Sequence, residues 1–283
     1  QVLHRFLKIP YVIDSYEPHA ESMVENGSWK KNGLAFRILD HFENKIARQA
    51  TAVVATTASM KEYAAATYGA IPGNFLVKPA CVDLNKFNPA NHSQDLKTEF
   101  GLTDKVVCIY AGKIGGIYLT QEIFDFFKCC TEVWGTNFHV ILLSDCKEEE
   151  VKNYAQNSGL SLDTITLRYV PHEEVPGYMS IADFALNPVA PVPSKRHCTS
   201  IKDGEYWAMG LPVVIPNHIS DDSELIMQEQ IGAVLDTLDD QAYRRAALKI
   251  QELLKGDPDK LAAKIRNVAQ NYRSYDLAQS VYS

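Results

Sequence analysis

A chain of 283 residues with 46% hydrophobic and 22% charged side chains has the composition of an ordinary globular protein of about two domains, which excludes disordered, collagen-like and mini-protein classes. Lys plus Arg total 28 against 35 Asp plus Glu, a formal charge of −7, so a sequence-independent grip on nucleic-acid phosphate is excluded and any anionic ligand needs a local site. Apolar runs such as 75–82 and 106–111 are far shorter than the about 18 residues of a membrane helix.

The chain opens on Gln1, and residues 6–14 read as the end of a helix running into a strand, Tyr11 to Asp14. A first domain lacking its N-terminal portion is therefore expected. Ala35, Leu39, Phe42, Ile46 and Ala50 fall at helical spacing, and the β-rich run 52–55 follows. Ser59 suits the cap of a helix reaching Tyr68, Gly69 suits its stop, and 75–82 reads as a strand. From Asp83 to about Asp104 the periodicity fades among Asn85, Asn88, Pro89 and Asn91, the pattern of an interdomain connection. A second series follows, with strands over 105–111, 138–144, 165–170, 184–188 and 212–216. Helices lie between them near 120–133, 147–157, 173–181 and 201–209, and two more, 240–254 and 258–272, precede an apolar-spaced tail from Tyr275. Strands alternating with helices demand a mostly parallel sheet covered on both faces. The expected architecture is α/β, with two Rossmann-like domains: an incomplete one with its linker over 1–96, and a second with the C-terminal helices over 97–283.

Ligands of such sheets sit beyond the C-terminal strand ends, and three stretches fall there. In Ser194 to Val214, Ser200 suits an N-cap with Asp203 three residues on, and Gly210 suits the stop. The free N–H groups and dipole of that helix start would hold a diphosphate, Lys202 would add a full charge, and Glu205 could accept from two ribose hydroxyls. The bland reading is a plain helix with Lys202 in solvent. Tyr110 to Gly116 is a glycine-bearing strand end in which Gly112 lets backbone approach phosphate and Lys113 neutralises it. It has neither the GxGxxG order nor a P-loop ending. Asp14 to His19 would face the same cleft from the first domain, with His19 or Glu17 near a transferred sugar, or as an ordinary loop histidine.

Cys129 and Cys130, mid-helix, read as packing, as do Phe124, Phe126, Phe127 and Trp134, and His139 reads as a satisfied core histidine. The six cysteines show no paired CxxC spacing, which fits a reducing, cytoplasmic setting. The loop Ser28-Trp-Lys-Lys-Asn-Gly33 reads as solvated, with a peripheral contact to lipid head groups or to an acceptor as the alternative.

Four stretches resemble the retaining, metal-independent GT-B nucleotide-sugar glycosyltransferases of family 4: Ala50 to Tyr63, Lys78 to Pro89, Val175 to Pro188 and, most specifically, Ser200-Ile-Lys-Asp-Gly-Glu-Tyr-Trp-Ala-Met-Gly-Leu-Pro-Val-Val214. The resemblance implies a nucleoside-diphosphate-sugar donor in the second domain and a glycan or lipid-linked acceptor, with no metal or other cofactor. It implies polysaccharide, lipopolysaccharide or glycolipid assembly at the inner face of the cell envelope. It places Glu205 on the ribose, Lys202 with the Ser200 and Ile201 backbone on the diphosphate, Lys113 beside them, the loop at Pro171 and His172 at the base, and His19 near the transferred sugar. Two departures stand out. His197 occupies the position, eight before Glu205, where the family carries an acid contacting the donor sugar, and no second basic residue follows Lys113 in Gly116-Ile-Tyr-Leu-Thr120. A nucleotide-sugar-binding pseudo-enzyme and a GT-B sugar-nucleotide epimerase are the alternatives.

Overall fold

The computed structural model describes residues 6, 9–69, 73–91 and 95–282; most of the helix expected before Tyr11 lies outside them. The first sheet is parallel, ordered β1 (Val12–Ser15), β2 (Ala52–Ala55), β3 (Asn74–Val77). Helices α1 (His19–Glu25), α2 (Leu34–Gln49) and α3 (Ser59–Tyr68) connect these strands. Ala52 to Ala55 are all buried, as expected of a strand covered on both faces.

The second sheet has six parallel strands: β4 (Val106–Ala111), β5 (Phe138–Leu143), β6 (Ile165–Arg168), β7 (Phe184–Leu186), β8 (Val213–Pro216) and β9 (Gly232–Leu235). Their spatial order is β6-β5-β4-β7-β8-β9. The chain therefore builds outward in one direction from β4, returns to its other side at β7, and builds the opposite way. The gap beyond β4 and β7 is the topological switch point, where ligands of open α/β sheets bind. Side chains alternate across the strands to make two cores. Val107 and Ile109 join Ile141, Val213, Trp207 and Met209 on one face. Cys108 and Tyr110 join Val140, Leu142, Phe184 and Phe124 on the other. Helices α4 (Asp95–Glu99), α5 (Gln121–Trp134), α6 (Glu148–Ser158), α7 (Val175–Met179), α8 (Ile201–Ala208), α9 (Asp222–Glu229), α10 (Asp240–Leu254), α11 (Pro258–Arg273) and α12 (Tyr275–Tyr282) complete the chain. No helix of the described residues is long and apolar enough to cross a membrane.

Several expectations need correction. The strand expected over 75–82 stops at Val77, since Pro79 cannot donate to a ladder. Ser59 opens α3 but does not cap it: its Oγ donates 2.7 Å to the Arg196 carbonyl of the second domain. The stretch 83–104 is not a bare connection, because Phe87 and Leu102 are buried in the second core and 95–99 is helical. The sequence reading has no β9 and no α9. A Cβ at Gly232 would lie 2.0 Å from the Val213 carbonyl, so the residue that weakens the strand signal is the one that permits β8–β9 pairing. Cys129, Cys130 and the three phenylalanines of α5 are buried, and His139 Nε2 bonds Thr166 Oγ1 at 2.8 Å, as expected of packing residues.

Among the contacts that join the domains, two features stand out. Val82 donates 2.8 Å to the Arg273 carbonyl, forming a bridge with Ser274 where α11 gives way to α12. From there α12 returns to the first domain, where the Tyr282 hydroxyl and Lys78 Nζ both bond Asp14 Oδ2, at 3.0 and 2.8 Å. The second feature is the turn Pro193–His197, which reaches across the interface. Lys195 is 5% exposed and donates to Glu17 Oε2 at 2.6 Å and Ser22 Oγ at 3.2 Å.

Candidate functional site

Because β4 and β7 lie side by side, the residues that follow them meet at the switch point. Gly112 follows β4, and its N–H extends the β4–β5 ladder by donating to Leu143 at 2.9 Å. The loop after β7 delivers Ser200 to the start of α8. Ser200 takes the extended backbone of a cap, yet its side chain makes no capping bond. Instead Asn187, which is fully buried, donates from Nδ2 to Ser200 Oγ at 2.9 Å and to Asp203 Oδ1 at 2.8 Å. The expected capping pair is thus turned inward, which leaves the start of α8, with Ile201 48% exposed, without a side-chain cap.

Lys202 leaves this first turn and lies over Gly112: a Cβ there would stand 2.6 Å from Lys202 Cε and 3.2 Å from its Nζ. The absent side chain is thus what admits the lysine. Its Nζ donates 2.8 Å to the Tyr118 hydroxyl and lies 4.5 Å from that ring's centroid. Lys113 is exposed, and its carbonyl accepts from the Tyr110 hydroxyl.

Glu205, one turn further along α8, is only 7% exposed. Burial holds its carboxyl above the ordinary range, opposed by His172, Lys202 and Lys86. His172 Nε2 stands 3.1 Å from Glu205 Oε1, and Lys86 Nζ stands 2.9 Å from His172 Nδ1. Pro171, in the same loop, is exposed, lacks an N–H, and accepts through its carbonyl from Glu174 at 3.0 Å.

Gly112, Ser200, Ile201, Lys202 and Glu205 are therefore gathered around one helix start. His19 and His197 stand apart from that group. His19 opens α1, its ring 55% exposed and 3.3 Å from Glu17 Oε1, at the edge of a first-domain cavity of about 550 Å³. His197 sits in the interdomain contact: Nδ1 lies 3.0 Å from Ser59 Oγ and the ring 4.9 Å from that of Tyr63. Burial and Arg196 push its pKa down, so the neutral ring is favoured there. Among the described residues no group of three or more His, Cys, Asp or Glu side chains could hold a metal ion.

Tyr118, Lys86 and the buried cluster beneath α8 escaped the sequence reading. In that cluster Arg273 pairs with Asp222 and stacks 5.2 Å from Trp207. Asp203, fully buried beside Asp222, is pushed well above its ordinary range, by desolvation first and Asp222 second.

No family model matches the sequence, and no curated protein matches it significantly. Solved structures do resemble the fold. WaaG, a glycosyltransferase involved in lipopolysaccharide biosynthesis, superposes with a TM-score of 0.73 at 15% identity, over 96% of this chain and 74% of its own. Anabaena Alr3699/HepE in complex with UDP gives 0.75 at 14% identity, over 99% and 73%. A glycosyltransferase from Rickettsia africae gives 0.66 at 15%, over 98% and 76%. The architecture is the GT-B fold. At such identities the likeness speaks for the fold, and activity has to be argued from the site.

Proposed function

We propose that this chain is a glycosyltransferase that moves a sugar from a nucleoside-diphosphate sugar to a glycan or lipid-linked acceptor, with retention and without a metal, in cell-envelope polysaccharide assembly on the cytoplasmic side of the membrane. The observation that carries the reading is the convergence of Gly112, Lys202 and Glu205 on the switch point. Similarity to a lipopolysaccharide-biosynthesis glycosyltransferase and to a UDP complex supports the same direction.

On this reading the nucleotide spans the β4 and β7 strand ends. Glu205, ionised, accepts from the two ribose hydroxyls, and the diphosphate lies on the start of α8 under Lys202, with Lys113 beside it. As the glycosidic bond breaks, negative charge grows on the departing diphosphate. Donors already aimed there stabilise that charge more than they stabilise the intact donor, which lowers the barrier. The departing phosphate takes the acceptor's proton on the face it leaves, so no hydrolase-type carboxylate pair is needed. His19 and Glu17 approach the transferred sugar from the first domain.

A nucleotide-sugar binder without turnover is the second reading, favoured by His197, whose ring is occupied by Ser59 and Tyr63 at the position where the family pattern has an acid. Calorimetric titration of the purified chain with UDP, GDP and ADP, beside Glu205→Ala, tests the donor site. Binding of one nucleotide that the variant loses is expected. Indifference of the wild type to all three would remove the donor-site assignment. Release of free nucleotide from a sugar donor in the presence of acceptor separates enzyme from binder.

A further inference from the structure

We propose that the Tyr118 hydroxyl is a direct, uncharged contact of the donor's diphosphate. The proposal rests on the nucleotide-sugar reading and names a binding residue within that site.

The loop carrying Tyr118 is built rather than slack. Gly115 and Gly116 both adopt left-handed backbone, with φ of 83° and 69°, a conformation open to glycine at little cost. The chain is then clamped to the segment leaving β7: Leu119 donates 2.8 Å to the Pro188 carbonyl and Ala190 donates 3.0 Å to the Ile117 carbonyl, around a Tyr118–Val189 bridge. Tyr118 thus straddles the two strand ends that define the switch point. Its ring lies 6.3 Å from that of Tyr110, whose hydroxyl is itself tied to the Lys113 carbonyl.

The hydroxyl accepts from Lys202 Nζ at 2.8 Å. A phenol that accepts through oxygen still carries one O–H to give, and no acceptor for it occurs among the described residues. A hydrogen bond received from an ammonium polarises that O–H and strengthens it as a donor. Lys202 and Tyr118 then form a two-membered chain, cation to phenol to anion, at the place assigned to the diphosphate. A donor of this kind serves a group bearing two adjacent phosphates more than a nucleoside.

The test is calorimetry on the purified chain with nucleoside diphosphate, nucleoside monophosphate and free nucleoside of the base that it prefers, for wild type, Tyr118→Phe and Tyr118→Gln. Phe keeps the ring and its contact with Tyr110; Gln keeps a donor and loses the ring. Tyr118→Phe is expected to lower the ratio of diphosphate to nucleoside affinity about tenfold, the effect of losing one hydrogen bond to a charged group. Nucleoside affinity and the unliganded melting midpoint should stay unchanged, and Gln should recover part of the ratio. An unchanged ratio in Tyr118→Phe, or an equal loss for all three ligands, overturns the proposal while leaving the donor site standing. A wild type that binds none of them overturns the underlying reading as well.

Discussion

Placing a single methyl group on Gly112 should displace Lys202 and weaken binding of a nucleoside diphosphate. In Gly112→Ala the new carbon would sit 2.6 Å from Lys202 Cε, 3.2 Å from its Nζ and 3.1 Å from the Tyr110 hydroxyl, whereas carbon atoms in contact settle at about 3.5–4.0 Å. Tyr110 is fully buried and cannot give way. Lys202 can, because its stem is flexible and only partly covered, and it must retreat by about 1 Å. From 2.8 Å, that retreat takes the ammonium out of hydrogen-bond reach of Tyr118 and off the place assigned to the diphosphate. Removing one hydrogen bond to a charged group costs about 1.5–3 kcal/mol of binding, a factor of about ten to a hundred in nucleoside-diphosphate affinity. The fold should lose about 1–3 kcal/mol as well, since moving Lys202 leaves the 3.1 Å contact with the Tyr110 hydroxyl in place. Calorimetry on both proteins reads the first quantity and urea unfolding the second. Diphosphate affinity within twofold of wild type in the folded variant would refute the reasoning.

Two further predictions concern buried charge. Arg273→Leu leaves Asp222 and Asp203 buried without their cation, at 1% and 0% exposure, and should cost about 3–5 kcal/mol at pH 7 by urea unfolding. Burial holds both carboxyls above their usual range, so the folded variant binds protons more tightly than the unfolded chain and its deficit should shrink as pH falls from 8 towards 5; a deficit independent of pH would contradict this. Glu43, which accepts from His19 and Ala20 N–H at 3.2 and 3.3 Å, is raised by desolvation from 4.5 to about 7. Its proton therefore stabilises the fold below 4.5, and that contribution is lost as pH rises through 7, so Glu43→Gln should gain on wild type in thermal midpoint between pH 5 and pH 8, whereas parallel pH profiles would count against it.

Much of this was legible in the residues, where strong periodicity met clear stops. Helices over 240–254 and 258–273 and the strands 52–55 and 106–111 fall within a residue of their sequence-based limits, because long apolar faces and bounded β-rich runs leave little choice of period. Strand β9 escaped because Gly232, needed for close approach to Val213, reads as a breaker. That Lys202 meets Gly112 was legible, because a helix start and a glycine turn have a fixed place at strand ends. Tyr118, Lys86 and His172 could not be ranked the same way, since their partners lie 84, 86 and 33 residues away in sequence. Ser59 and His197 met the opposite problem. Each has a local meaning, cap or donor contact, and each is engaged by the other domain, 138 residues distant.

The return of α12 to the first domain sets an order of events during synthesis. The Tyr282 hydroxyl bonds both Asp14 and Lys78, at 3.0 and 2.7 Å, and it leaves the ribosome about two hundred residues after Lys78, once every strand of the second sheet has been made. Domains tend to fold as they appear, the N-terminal one first. Here one contact has to wait: Asp14 and Lys78, 2.8 Å apart, gain their Tyr282 partner only when the second domain has emerged and the chain has come back. The contact therefore marks completion of the second domain, since it can close only after α12 has been made.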